Sequence, residues 1–169
     1  MTRAIRLLLR DCRGSPAVEM ALVLPLLLML MFGSMELGNY FLNEHTLAKA
    51  VRDGARFAGR QSFDNYPDCG TVDSDAVTEI KNVVRTGYLD GGGSVITPNI
   101  EADDITVATS CTTTAGGADM LGIYRGRANG AQIVTVSATV SYRPIMASFG
   151  FDNVGILLNA SSQAAVTGE

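Results

Sequence analysis

The sequence has few of the residues that build catalytic or metal sites. Its 169 residues include one histidine, His45, and three cysteines, Cys12, Cys69 and Cys111. None of these four lies near enough to another in sequence to form a zinc-ligand pattern. No serine or cysteine nucleophile with an orienting acid can be placed beside His45. The sequence therefore predicts a protein that is not an enzyme and holds no cofactor or metal.

Two other patterns also fall short of a ligand site. The run Gly91-Gly92-Gly93 lacks the Gly-Lys-Ser/Thr of a phosphate loop, so we interpret it as a flexible turn. Acidic and amide residues occur in two groups, but neither has the spacing of a calcium loop; we assign turn and cap roles to Asp103, Asp104, Asp64, Asn65 and Asp68. The chain carries 17 acidic against 13 basic residues, which argues against nucleic-acid binding.

Charge is absent from one long stretch near the N-terminus. No charged residue occurs from Met20 to Met35. Apolar flanks extend this run on both sides, interrupted only by Glu19 and Glu36, and a bilayer span needs about 20 residues. We therefore predict a transmembrane segment at about 17–40, with both carboxylates near the membrane edges, where they can reach water.

Basic residues set the expected orientation of this segment. Four arginines precede it, against the single acid Asp11: Arg3, Arg6, Arg10 and Arg13. Basic flanks stay in the cytoplasm, so the C-terminal part is expected outside it. Later basic residues begin only at Lys49 and are mixed with Asp53. A cleaved secretory signal and a buried helix of a soluble domain remain alternatives. No small-x-small cleavage site follows the run, however, and the arginines oppose a buried helix.

The cysteines fit this topology. Cys12 falls on the cytoplasmic side, whereas Cys69 and Cys111 fall in the exported part, where the environment is oxidising. Only one pairing of these two is possible. A Cys69–Cys111 disulfide would contribute roughly 4 kcal/mol on the chain-entropy model. Two free buried thiols are the alternative.

The fold class expected from the pattern is α+β. A long helix is predicted from residue 16 to about 60, with Pro16 in its first turn and Pro25 kinking its interior. Beyond the membrane it becomes amphipathic. The extracytoplasmic head, residues 61–169, is expected to contain one helix and an antiparallel sheet of about three to four strands.

Local signals place the elements of the head. A helix is predicted at 74–86, capped by Asp73 or Ser74 and ended by Gly87. Strands are predicted at 104–112, 131–143 and 156–167. The segment 113–130 is expected to be a long loop with a short helix at 118–123.

One acidic residue in the apolar segment calls for an explanation. Glu19 follows Gly14 by five positions and opens the apolar run, where burying an unpaired carboxylate costs free energy. If the chain were cut between Gly14 and Ser15, a new ammonium would appear at Ser15, one helical turn from Glu19. In an assembly of parallel helices, Glu19 could pair with that ammonium on a neighbouring subunit.

This arrangement resembles the class III leader of type IV pilins and pseudopilins. Residues 14–58 are similar to the TadE-like family, the minor pseudopilins of tight-adherence (Tad/Flp) pilus systems. The resemblance rests on four pieces of sequence: Gly14 with Ala17-Val18-Glu19, Ala21-Leu22-Val23-Leu24-Pro25, Gly33 with Glu36-Leu37-Gly38, and 50–58 (AVRDGARFA). It implies that a prepilin peptidase removes residues 1–14.

The resemblance also implies partners and a location. The protein would reside in the bacterial inner membrane with its N-terminus cytoplasmic and its head periplasmic, and could enter an extracellular pilus. Its partners would be the membrane, the prepilin peptidase, other pilin or pseudopilin subunits and the Tad inner-membrane platform. The leading hypothesis is thus a minor pilin. The alternative is an uncleaved, membrane-anchored periplasmic assembly or binding module.

Overall fold

The computed structural model of the protein describes residues 15–115, 118–149 and 155–168. The expected leader, with Gly14 and Cys12, lies outside the described residues. The chain divides into two compact units, with the boundary between Asn39 and Tyr40.

The first helix, α1, runs from Ser15 to Arg60. Alanine, leucine and methionine, which favour helices, dominate its first half. Pro16 occupies the second helical position, where a missing N–H leaves no carbonyl unpaired. The helix continues through Pro25 without interruption. The long N-terminal helix predicted from the sequence is therefore confirmed.

Helix α2 spans Ser74–Thr86 in the second unit, and both its ends follow the sequence signals. Asp73 Oδ1 accepts hydrogen bonds from the backbone N–H groups of Asp75 and Ala76, at 2.9 and 3.4 Å. At the other end, Gly87 adopts φ of 82° and its N–H donates to Val83 O at 2.9 Å. This left-handed conformation is open to glycine at little cost, so Gly87 ends the helix.

Among the described residues, the second unit contains one three-stranded antiparallel sheet. Its strands, in their order across the sheet, are β1 (Ile105–Thr112), β4 (Ala131–Ser141) and β5 (Leu157–Ala165). A separate two-stranded ladder pairs β2 (Thr114–Ala115) with β3 (Ala118–Asp119). The predicted α+β class with an antiparallel sheet is confirmed.

The core lies between one face of the sheet and the two helices. Burial alternates along β4, as expected for a strand with one covered face. Side chains from α1, α2 and the strands form one cluster, which includes Leu47, Val51, Ala55, Ala58, Ile80, Val84, Val134, Val136, Val140 and Leu158. The second half of α1 thus shares one core with the head, residues 61–169.

The short helix predicted at 118–123 is wrong. Residues Ala118–Asp119 form strand β3, and a 3-10 turn follows at Gly122–Tyr124. Gly122 has φ of 68°, a conformation that an α-helix cannot contain. The glycine therefore interrupts the segment where the pattern had suggested a helical turn.

Candidate functional site

The first unit exposes almost all of its apolar side chains. Leu22 and Met29 are 74% and 73% exposed, and every residue from 16 to 31 is exposed. Within the described residues, α1 is the one helix long and apolar enough to cross a membrane. Its most apolar window has a mean hydropathy of 2.1 and no buried residue. This helix is consistent with a single-pass membrane anchor.

Two carboxylates interrupt this apolar surface. Glu19 is exposed in the second turn of α1, and Glu36 is half-buried near the end of the first unit. The sequence from 15 to 39 contains no lysine, arginine or histidine. No residue of this segment can therefore supply a cation to Glu19.

The structure describes two of the three other residues predicted to matter in this segment, Ser15 and Pro25, but not Gly14. Ser15 is the first residue of α1, while Gly14 lies outside the described residues, so the cleavage site stays a prediction. Pro25 lies inside the helix. The kink expected at Pro25 also stays a prediction.

The last turns of α1 are fixed to the head by hydrogen bonds. Gly59 O accepts from the backbone N–H and the hydroxyl of Thr167, at 2.7 and 3.1 Å. Ala58 O accepts from the Tyr66 hydroxyl at 2.7 Å. The last carbonyls of a helix have no partner within the helix, and Thr167 satisfies Gly59 O. Ala58 O also accepts from the backbone N–H of Gln61, at 3.2 Å.

Tyr66 is the centre of this attachment. Its side chain is 1% exposed, and burial raises the pKa of its phenol from 10.0 to about 12. Its carbonyl accepts a hydrogen bond of 2.7 Å from Nε2 of Gln132, which lies on β4 and is 2% exposed. These bonds connect α1, the following loop and the central strand. The sequence carried no signal for them, because Tyr66 and Gln132 lie far apart along the chain.

The structure joins Cys69 to Cys111 by a disulfide, which links the loop after α1 to the end of β1. Their Cα atoms are 5.4 Å apart, a usual distance for a bridge. The pairing predicted from the sequence is therefore present, and the alternative of two free thiols is not.

Close packing explains two glycines in the second half of α1. A Cβ atom at Gly54 would collide with the side chain of Val84 on α2, and one at Gly59 would lie 2.9 Å from Ala165 O. The exposed residues of this part of α1 include Arg52, Asp53 and Arg56, and the last two form a weak ion pair at 4.0 Å.

The other polar candidates take local structural roles. Asp104 accepts from the backbone N–H of Glu101 at 2.8 Å in a 3-10 turn, and Asp90 accepts from the N–H of Gly92 at 3.0 Å. The guanidinium of Arg127 lies 3.5 Å above the Phe63 ring. Across the described part of the chain, no three histidine, cysteine or acidic side chains gather where a metal could bind.

These features define a class, an α+β protein with an exposed apolar helix suited to anchoring. Comparison with protein families then gives a match: residues 14–56 fit the family model described as TadE-like protein. The match covers about a quarter of the chain and lies almost wholly on α1. It confirms the resemblance recognised from the sequence and suggests a Tad pilus-associated protein. Neither the curated proteins nor the solved structures gave a significant match.

Proposed function

We propose that this protein is a minor pilin or pseudopilin that takes part in assembly of a Tad/Flp type IV pilus and performs no catalysis. One observation carries the proposal. The segment that matches the TadE-like family is a helix whose first half exposes apolar side chains and carries a carboxylate at its start. Such a surface is stable in lipid or among other apolar helices, and not in water.

Glu19 supplies the docking step of this proposal. After removal of residues 1–14, Ser15 carries an ammonium one turn from Glu19. Since 15–39 holds no basic side chain, the ammonium of a neighbouring subunit is the natural partner when helices pack side by side. The pair forms where lipid and protein exclude water, so an unpartnered Glu19 would be costly there.

The proposed route begins in the inner membrane. The chain inserts as a single pass with residues 1–14 in the cytoplasm and the head in the periplasm. A prepilin peptidase cuts between Gly14 and Ser15, and the Tad inner-membrane platform brings the subunit to other pilins. The helix then leaves lipid for a bundle of similar helices. Neither nucleic acid nor a cofactor takes part.

The second candidate is an uncleaved, membrane-anchored periplasmic assembly or binding module. This candidate is favoured by the hydrophobic core of the head, which is closed within a single chain. Tyr40 to Arg60 contribute α1 side chains to a core closed by α2 and the sheet. A head with its own core needs no neighbouring subunit to fold. In this case residues 1–14 would remain and Glu19 would face the membrane interface.

Pilus assembly by Glu19→Gln tests the docking step. The variant keeps the size of the side chain but removes its charge. In a strain that lacks its own copy and carries the remaining Tad components, we expect Glu19→Gln to lose pili by electron microscopy. The matched control is Glu36→Gln on the same helix, with protein levels followed by immunoblot. Normal piliation by Glu19→Gln would show that the proposed ammonium pairing is wrong.

A further inference from the structure

The face of the sheet that points away from the helices carries no charged residue. Its side chains carry hydroxyl or amide groups or are apolar: Thr106, Ala108, Ser110 and Thr112 on β1, Ile133, Thr135, Ser137, Thr139 and Ser141 on β4, and Leu157, Asn159, Ser161, Gln163 and Ala165 on β5. Charged residues make up 18% of the chain, so their absence here is a local feature. Depletion of charge is typical of the centre of a protein interface.

Both edge strands of this sheet also lack the residues that usually block pairing with another chain. The strand order β1-β4-β5 leaves β1 and β5 at the two edges. Neither Ile105–Thr112 nor Leu157–Ala165 contains a lysine, arginine, acidic residue or proline. Natural proteins usually place such residues on edge strands to prevent pairing with another chain. Two uncharged edges of eight and nine residues are therefore suited to pairing.

The hydrogen bonds at the ends of β5 show which backbone groups point outward. Tyr142 N–H donates to Ile156 O and Val166 N–H donates to Gln132 O, both at 2.9 Å. Since inward and outward groups alternate in an antiparallel ladder, the outward N–H and C=O groups belong to odd-numbered residues, Leu157, Asn159, Ser161, Gln163 and Ala165. Among the described residues, no backbone group of another element forms a hydrogen bond with this row. Gly59 of α1 lies against Ala165 O, so the open part of the row is Leu157 to Gln163.

Just beyond β5, the next outward backbone N–H does form a hydrogen bond. Thr167, the next odd residue, donates its N–H to Gly59 O of α1. By the same alternation, β1 directs outward the backbone N–H and C=O groups of Val107, Thr109 and Cys111. Ile105 precedes them in this row, but its N–H donates to Ala102 O. Each copy of the chain thus presents two rows of backbone hydrogen-bond donors and acceptors, one at each edge of its sheet.

We propose that β5 of one copy pairs in parallel with β1 of a second copy, so that the sheets of neighbouring heads become continuous. Both strands are antiparallel to β4 and therefore run parallel to each other. Copies anchored through the same N-terminal segment enter the membrane in one orientation. Parallel β5–β1 pairing keeps that orientation in every copy.

The proposed contact joins two different edges and can therefore repeat along a row of copies. Joining two different edges is a heterologous interface, which leaves a free β5 and a free β1 at the ends and so can be repeated. The uncharged outer face then continues from one head to the next. The inference needs the anchor but not the pilus, so it can fail while the proposed function stands.

Disulfide crosslinking between copies tests the contact. The full chain, in a Cys12→Ser background, receives Ser161→Cys together with Ala108→Cys and is oxidised in membrane vesicles. Within one chain β4 separates these positions by two strand spacings, about 9–10 Å, which a disulfide cannot bridge. Ser161→Cys alone and Ala108→Cys alone are the controls, and Thr106→Cys or Ser110→Cys replaces Ala108→Cys to sample neighbouring registers.

We expect the double variant to give a ladder of dimers, trimers and higher species on non-reducing gels, and each single variant to stay monomeric. Absence of the ladder in all three registers would overturn the proposal. A strong dimer from Ser161→Cys alone would also overturn it, since that would mean that β5 pairs with β5.

A backbone test separates edge pairing from chance proximity. Gln163→Pro, added to the double-cysteine variant, removes an outward N–H that the fold does not use, and edge strands accept proline at such positions. Gln163→Ala is the matched control. The ladder should be lost with proline and kept with alanine; persistence with proline would contradict the proposal. Asn159→Pro against Asn159→Ala repeats the comparison at a second outward position if Gln163→Pro fails to fold.

Discussion

At the residue scale, Gly54 fixes how closely α1 can approach α2. A Cβ atom at this position would collide with the side chain of Val84, which is fully buried. Overpacking of this kind typically costs about 1–3 kcal/mol, whereas the gain in helix propensity from alanine is about 1 kcal/mol. We therefore expect Gly54→Ala to destabilise the head, measured by denaturant unfolding of the full chain in detergent.

Two further variants make the Gly54 prediction specific. Gly38→Ala lies on the same helix, where a Cβ would meet no atom within 4 Å, and should not destabilise. Val84→Ala should relieve the collision, so the double variant Gly54→Ala/Val84→Ala should lose less stability than the two single changes together. Full additivity would mean that the packing explanation is wrong.

Tyr66 predicts a dependence of stability on pH in the alkaline range. Its phenol has a pKa of about 12 in the folded protein and 10.0 when unfolded. Because the folded pKa is the higher one, its contribution to stability is complete below pH 10 and is lost as the pH rises towards 12. The loss amounts to roughly 2–3 kcal/mol.

Replacement of Tyr66 separates this effect from general alkaline unfolding. Tyr66→Phe should lower stability at neutral pH by about 0.5–1.5 kcal/mol through loss of the bond to Ala58 O. It should also make unfolding less sensitive to pH between 10 and 12. Tyr88→Phe, at an exposed position, is the control. Equal pH dependence in wild type and Tyr66→Phe would refute the assignment.

At the element scale, the disulfide holds the loop after α1 to the end of β1. Cys69 and Cys111 lie 42 positions apart, for which the chain-entropy model gives a stabilisation of about 4 kcal/mol. Cys69→Ser/Cys111→Ser should therefore lower the unfolding midpoint strongly, and a reducing agent should do the same to the wild type. Cys12→Ser serves as control. An unchanged midpoint after reduction would contradict a structural role.

Elements with strong local signals were predictable from the sequence. Asp73 and Gly87 bounded α2, and the alternating pattern of 131–143 located β4, which ends at Ser141. The disulfide followed from having only two cysteines in the head. In each case the information lay within a few residues or in a simple count.

Features that depend on distant contacts were not predictable. The order β1-β4-β5 depends on pairings between strands far apart in sequence. The hydrogen bond between Gln132 and Tyr66 joins residues 66 positions apart, and no local sequence pattern near either residue indicates it. The helix expected at 118–123 failed because Gly122 adopts a positive φ, which glycine permits but does not require.

At the scale of the whole molecule, the two units differ in whether their apolar side chains are buried. The head has a closed core, whereas the first unit exposes an apolar surface that water does not favour. The family match begins at residue 14, the position expected to be the last of the leader, and ends at residue 56, in the part of α1 that shares the core of the head. The match thus covers both the exposed apolar part of α1 and most of the part that lies in the core.

The N-terminus of the mature protein tests the central claim most directly. The full chain is co-expressed with a prepilin peptidase, and the intact mass is measured alongside Gly14→Leu, in which a bulky side chain should block the cut. We predict that the wild type begins at Ser15 and that Gly14→Leu keeps residues 1–14. A wild-type chain that keeps residues 1–14 in the presence of an active peptidase would contradict the pilin assignment and favour the uncleaved module.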